Sequence, residues 1–279
     1  MNPLCKYIAD PIAVPFLLRG LIKFTPIPEL NDPSELMPNV IPDEVMTSLA
    51  RLRRVGYTKE DMTNLRRQEN LFQRLAPQFQ VVGVPETPEK ATALIRSVFY
   101  DRLSTLERRL SETALEVSSK VGLFCLSLRY DSLPMWAHYA GNAAGLVVEF
   151  VDLDRIFQGD NTGVLSQPRA VRYERDRLSV TFETDSHESL FFAKFADWSY
   201  EQEVRIVLPL TDCRKDSIGD RHLYVREIPQ ACIVRLILGW NMPNDVRKAI
   251  RVHVQEFNPK VRIIDARVVH GRVNLDASD

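Results

Sequence analysis

Apolar and polar positions alternate in different rhythms along the chain, and three regions separate on that basis. In residues 1–41 two short apolar pieces, Ala13-Val14-Pro15-Phe16-Leu17-Leu18 and Leu21-Ile22-Lys23-Phe24, run into Thr25-Pro26-Ile27-Pro28-Glu29-Leu30-Asn31-Asp32-Pro33. The prolines there block helix, and Asn-Asp-Pro favours a turn whose side chains cap the backbone, so an ordered loop is predicted. Residues 42–120 step their apolar positions by three and four, the rhythm of helices. Asp43 and Thr58 stand as helix caps, the second leading into Met62, Leu65, Leu71, Phe72 and Leu75. Pro85 to Pro88 breaks the pattern. Beyond it Ala91, Leu94, Ile95, Val98, Phe99, Leu103, Leu106, Leu110 and Leu115 form a longer stripe, with Arg108, Arg109 and Glu112 on the opposite side. These read as packing helices with a solvated charged face, and no site is placed on them.

From residue 121 onward short runs rich in Val, Ile and Leu predict strands at 123–128, 146–151, 170–173, 204–208, 223–226, 233–238 and 261–264. Between the last two a helix is predicted, capped by Asn244, with Val246, Ile250, Val254 and Phe257 as its buried stripe. The sum is a single α+β domain over residues 1–279. It has a mixed or mainly antiparallel β-sheet core that the first region joins, and the helices of about 42–120 form an insertion.

Composition narrows the function. With 279 residues, 45% hydrophobic and 26% charged, the chain can bury a substantial core. A formal charge of −1 argues against a polyanion binder. No apolar run reaches the ~18 residues that span a bilayer, and the start, Met1-Asn2-Pro3-Leu4-Cys5-Lys6, lacks the basic and apolar pattern of a signal peptide. A cytoplasmic protein with no membrane contact is expected. Cys5, Cys125, Cys213 and Cys232 show no CxxC spacing, and the histidines at 138, 187, 222, 253 and 270 are scattered, so no metal site is expected. Cys125 and Cys232 sit in apolar runs and read as small buried hydrophobes.

The densest chemistry lies in Trp198-Ser199-Tyr200-Glu201-Gln202-Glu203-Val204-Arg205-Ile206-Val207-Leu208. On a strand, Glu201, Glu203 and Arg205 share one face while Val204, Ile206 and Leu208 share the core face. Three charges on one face must be solvated, paired or used. Either an ion-pair ladder or a working pair of carboxylates fits. Trp136-Ala137-His138-Tyr139 follows Pro134 as one or two helical turns and closes through Gly141-Asn142 and Gly145 into a strand. Its rings suit stacking on a flat ligand, or else anchor the turn in the core with His138 exposed. Lys194, in an aromatic run just upstream of the glutamates, either binds a phosphate, pairs with a glutamate or snorkels at the surface. No serine-histidine-acid set, P-loop or GxGxxG accompanies them.

Several pieces together resemble the bacterial DUF2971 family. They are Lys6-Tyr7, Phe24-Thr25-Pro26 running into Asn31-Asp32-Pro33 and Glu35, Met135-Trp136-Ala137-His138-Tyr139 with Gly145 and Phe150, and Lys194, Trp198 and Tyr200-Glu201-Gln202-Glu203-Val204-Arg205. The likeness runs from about residue 5 to 240. The family's function is undefined, so this resemblance implies little chemistry.

Glu201-Gln202-Glu203 followed by Val204-Arg205-Ile206-Val207-Leu208-Pro209 is also similar to the E-x-E turn and strand of ADP-ribosyltransferases. That second resemblance implies a catalytic Glu203 that stabilises an oxocarbenium-like ribose as nicotinamide leaves, and a Glu201 that orients the acceptor. It further implies NAD as cofactor, held by Tyr7 or Lys6 in a cleft walled by Asn31, Asp32, Trp136, His138 and Tyr139, with Lys194 and Arg205 as basic contacts. It points to bacterial toxin or phage-defence biology. The Ser-Thr-Ser strand and first-strand arginine of those enzymes have no clear counterpart here. The alternative is a non-catalytic module binding a small ligand, a nucleotide or a partner segment. In a third reading the helices of 42–120 form a regulatory interface.

Overall fold

The computed structural model describes residues 3–32, 42–75, 83–97, 116–158, 166–175, 191–218 and 221–276. The strands are Leu4–Ile8 (β1), Leu21–Pro26 (β2), Val121–Ser127 (β3), Leu146–Phe150 (β4), Arg169–Ala170 (β5), Arg172–Glu174 (β6) and Ala193–Phe195 (β7), followed by Glu203–Pro209 (β8), Arg214–Ile218 (β9), Arg221–Glu227 (β10), Ile233–Leu238 (β11), Arg262–Val269 (β12) and Arg272–Leu275 (β13). All but β6 and β7 form one eleven-stranded sheet in the order β13-β12-β11-β4-β1-β3-β2-β10-β9, with β8 pairing to both β3 and β5. The expected α+β class is the observed one. Pairs β1–β4, β4–β11, β2–β10, β9–β10 and β12–β13 are antiparallel, whereas β11–β12 is parallel.

Two compact units divide the chain: Met1–Thr25 with Leu123–Tyr173 and Ala196–Asp279, and Pro26–Gly122 with Glu174–Phe195. The first holds most of the sheet, with Lys6, Tyr7, Glu203 and Arg205 on its strands.

Within the first unit the sheet buries both faces. Leu4, Leu146, Val148, Phe150, Val204, Ile206, Leu208, Leu236 and Leu238 belong to one apolar cluster. Cys5, Tyr7, Val147 and Ile237, one residue out of step, belong to a second with Met135 and Trp136. That offset is the period-2 alternation of pleated strands. The parallel pair β11–β12 needs a crossover, supplied by a helix over Asn244–Phe257. Its Ile250 and Val254 are buried, and Val246 and Phe257 pack half-buried on the first cluster, the stripe expected from the sequence. Asn244 is the first helical residue instead of the cap. Pro243 occupies the cap position, where its fixed φ already ends the extended chain.

In the second unit the helices Pro42–Val55, Lys59–Leu75 and Pro88–Ser97 stand where the three- and four-residue steps placed them. Thr58 caps the second as expected: its Oγ1 accepts from the Asp61 amide at 3.1 Å, and Asp61 accepts from the Thr58 amide at 2.6 Å. Asp43 lies inside the first helix, because Pro42, pre-set for the first helical position, starts it two residues earlier than a cap at Asp43 would. Leu52, Met62 and Ala91 are buried. The apolar positions from Val98 to Leu115, Pro33 and Glu35, all singled out in the sequence, lie outside the described residues.

Candidate functional site

A backbone reversal sets the geometry of the two glutamates. Gln202 takes φ 44°, and Glu201 ends a 3-10 turn over Ala196–Glu201 instead of entering β8. The expectation that Glu201, Glu203 and Arg205 share one strand face therefore holds only for the last two. Alternation requires continuous extended backbone, and a left-handed residue interrupts it. Polar contacts lock the reversal. Ser127 Oγ donates to the Glu201 carbonyl at 2.6 Å, the Leu128 amide donates to the Gln202 carbonyl at 3.0 Å, and the Glu203 amide donates to Tyr173 Oη at 2.7 Å.

Glu203 and Arg205 form a fork. Arg205 Nε donates to Glu203 Oε1 at 2.8 Å and a terminal Arg205 nitrogen donates to Oε2 at 2.8 Å. Both side chains are sealed, with Arg205 0% and Glu203 4% exposed. Two parallel charge-assisted bonds of this kind fix the carboxylate's direction as well as its charge. Glu201 is buried too, and Tyr139 Oη donates to its Oε1 at 2.6 Å.

A second pair, with a buried carboxylate and a half-buried guanidinium, lies on the same sheet face. Glu149 of β4 sits opposite Arg235 of β11 and accepts both forks of its guanidinium. That bond holds Arg235 still more firmly in its charged form. The guanidinium also lies 5.8 Å over the Tyr130 ring. No pattern along either strand alone flags this pair, since its members are 86 residues apart.

Of the residues expected to hold a dinucleotide, those on β1 are committed to the fold. Lys6 Nζ donates to the Cys125 carbonyl at 2.9 Å and lies 5.5 Å over the Phe124 ring. Tyr7 is buried, donates to the Arg129 carbonyl at 3.1 Å and meets Trp136 edge-on at 5.6 Å. Trp136 is fully buried, and its Nε1 donates to the Tyr130 carbonyl at 2.7 Å. It anchors the short helix Leu133–Tyr139, which carries Pro134 in its first turn. The return into β4 runs through left-handed Gly141, Asn142 and Ala143. Gly145 is required there, because a Cβ would stand 2.0 Å from the Ile8 carbonyl oxygen.

One group of rings reaches the surface in part. His138 is exposed, Tyr139, Trp198 and Tyr200 are half-buried, and the rings follow one another at 6.2 Å (Tyr139–His138), 6.0 Å (His138–Tyr200) and 6.2 Å (Tyr200–Trp198). His138 Nδ1 and Tyr200 Oη share a 3.0 Å hydrogen bond. The structure thus brings together His138, Tyr139, Glu201, Glu203 and Arg205 in one unit. It adds Trp198 and Tyr200, which the sequence reading quoted for resemblance but did not assign to a site. Asn31, exposed, Asp32, buried, and Lys194, half-buried on β7, belong to the second unit.

No metal-holding group of His, Cys, Asp or Glu occurs among the described residues. Burial raises the thiols of Cys5, Cys125 and Cys232 above their ordinary value. Burial, reinforced by Glu203, pushes Cys125 far above the ordinary thiol value. Burial, reinforced by Glu149, pushes Cys5 up to about 12. Cys5 thus supports the fold fully below the unfolded value of 9.0, and that support is lost as pH rises towards about 12. Urea midpoints are therefore expected to fall as pH is raised through this window, and to fall less in Cys5→Ala. An equal fall in both would remove Cys5 from the account.

Residues 135–206 match the family described as Protein of unknown function (DUF2971). The match runs from the Trp136 helix through β4 to the Glu203–Arg205 fork, so it contains the ring cluster and both glutamates. Lys6, Tyr7, Asn31 and Asp32 lie outside the matched DUF2971 residues. No curated protein and no solved structure matches the chain. Among the described residues no helix is long and apolar enough to cross a membrane.

Proposed function

We propose that this chain is a non-catalytic binding module whose ligand sits on the rings of His138, Tyr139, Trp198 and Tyr200. The observation that carries this reading is the fork. Both oxygens of Glu203 are engaged by Arg205 in a sealed environment. A carboxylate that stabilises a developing ribosyl cation has to face the reacting carbon with its charge available. The groups that do reach the surface are aromatic, and a half-buried ring ladder offers area for stacking with a few polar tips for orientation. A nucleotide is the first ligand class to try, because its base stacks and its sugar-phosphate carries acceptors for His138. Four free cysteines accord with a reducing, cytoplasmic setting.

The second reading is the NAD-dependent ADP-ribosyltransferase with Glu203 and Glu201 as its carboxylates, favoured by the E-x-E spacing and by the position of Glu201 beneath Tyr139. Incubation of purified protein with NAD separates the two. We expect no nicotinamide release, and we expect NAD or a mononucleotide to raise the melting temperature in wild type but not in Tyr200→Ala. Nicotinamide release that disappears in a folded Glu203→Gln variant would replace the module with the enzyme.

A further inference from the structure

We propose that the sheet holds an oxyanion, free phosphate or the phosphoryl group of a monoester, between Arg235 of β11 and Arg262 of β12. This site shares no residue with the ring cluster and does not depend on it. The β11–β12 register sets Arg262 directly beside Arg235. Registered residues of neighbouring strands stand about 4.8 Å apart and share a sheet face. Like charges placed so close destabilise a sheet unless a counter-charge lies between them.

The described carboxylates do not supply it. Glu149, across β4, is spent on Arg235, accepting from its Nε at 2.8 Å and from one terminal nitrogen. Asp131, which acts with Glu149 on Cys5, pairs with Arg129 at 2.7 Å. Among the described residues Arg262 makes no ion pair or hydrogen bond, and it is exposed. The row Glu149–Arg235–Arg262 therefore carries one positive charge in excess.

The donors are also prepared for an anion. Arg235 Nη1 has no acceptor among the described residues, because Glu149 takes only the other two nitrogens. The guanidinium is held in place by that carboxylate and lies 5.8 Å over the Tyr130 ring, so little freedom remains to be lost on binding. Tyr130 Oη makes no hydrogen bond among the described residues. The β4–β11 register shifts between Ile233 and Arg235, an irregularity of the kind that re-aims the side chain after it. Arg235 is half-buried, where its charge is screened less than on an open surface. A phosphate brings three acceptor oxygens and nearly two charges, enough to engage both guanidinium groups at once.

Titration of the full chain with inorganic phosphate and with ribose 5-phosphate, by calorimetry or phosphorus NMR in chloride buffer of constant ionic strength, tests this. Wild type should bind at millimolar concentration or below, and Arg262→Gln about tenfold more weakly. Arg262→Lys keeps the charge but not the fork, and should fall between them. Without phosphate, Arg262→Gln should melt no lower than wild type, since it removes a like-charge contact. Tyr200→Ala should bind phosphate as wild type does, so failure here is distinct from failure of the ring module. Tighter binding of ribose 5-phosphate than of phosphate identifies a monoester as the ligand, and equal binding identifies the free anion. No binding by wild type at roughly 10 mM, or equal binding by wild type and Arg262→Gln, would overturn the site.

Discussion

An Arg205→Ala variant is expected to lose roughly 3–5 kcal/mol of stability, the range for removing one partner of a buried ion pair. Arg205 is fully enclosed and supplies both hydrogen bonds that Glu203 receives from it. Without it the carboxylate must take up a proton or admit water beside Cys125 and the β3–β8 ladder. In a chain of this size each kcal/mol moves the midpoint by roughly 2–4 °C, so thermal unfolding should shift down by on the order of 10 °C. The double variant Glu203→Leu with Arg205→Met removes the charge together with its partner. It should recover most of the loss, because well-packed apolar residues often replace a buried pair without cost. A double-mutant cycle measures the coupling directly. If Arg205→Ala melts within a degree or two of wild type, the fork does not hold the fold together. If the double variant is stable and still shifts with ligand, Glu203 serves the fold alone.

Trp136→Ala should cost about as much, roughly 3–5 kcal/mol for a buried large-to-small change. The indole packs against Tyr7 at 5.6 Å and Trp240 at 5.2 Å and fills the centre of the second apolar cluster. Trp136→Phe retains much of that volume but leaves the half-buried Tyr130 carbonyl without its donor, so it should cost less than Trp136→Ala, about 1 kcal/mol for the lost hydrogen bond. Both variants bear on binding as well, because Trp136 positions the turn that presents His138 and Tyr139. Urea midpoints with and without ligand separate the two effects: loss of fold lowers both, and loss of presentation removes only the ligand-induced shift. A Trp136→Ala protein with unchanged midpoint would show that the helix is held by other contacts.

Much of this architecture was legible along the chain because its cause is local. Hydrophobic period distinguished the helices of 42–97 from the strands after 121, the Thr58 cap follows from a hydroxyl three residues ahead of a carboxylate, and the stripe on Asn244–Phe257 follows from 3.6 residues per turn. The Val204, Ile206 and Leu208 face lay in the core as alternation requires. Alternation failed one step earlier, at Gln202, because nothing in the composition of that segment announces a left-handed residue. The site depended on that step: it turns Glu201 towards Tyr139 and leaves Glu203 to Arg205.

The chemistry within the site was less legible, for a related reason. A strand pattern shows that charged residues share a face but not whether they engage one another or a ligand. The fork, the Glu149–Arg235 pair across β4 and β11, and the hydrogen bond from Tyr139 to Glu201 join residues 2, 86 and 62 positions apart. Residue type, period and caps determined the α+β class, the core faces and the aromatic and acidic content of the segment that matches DUF2971. The tertiary structure alone decided which of those acids are sealed and which rings reach the surface. Burial and pairing are properties of neighbours in space, and the free energy of a charge depends on those neighbours far more than on its place in the chain.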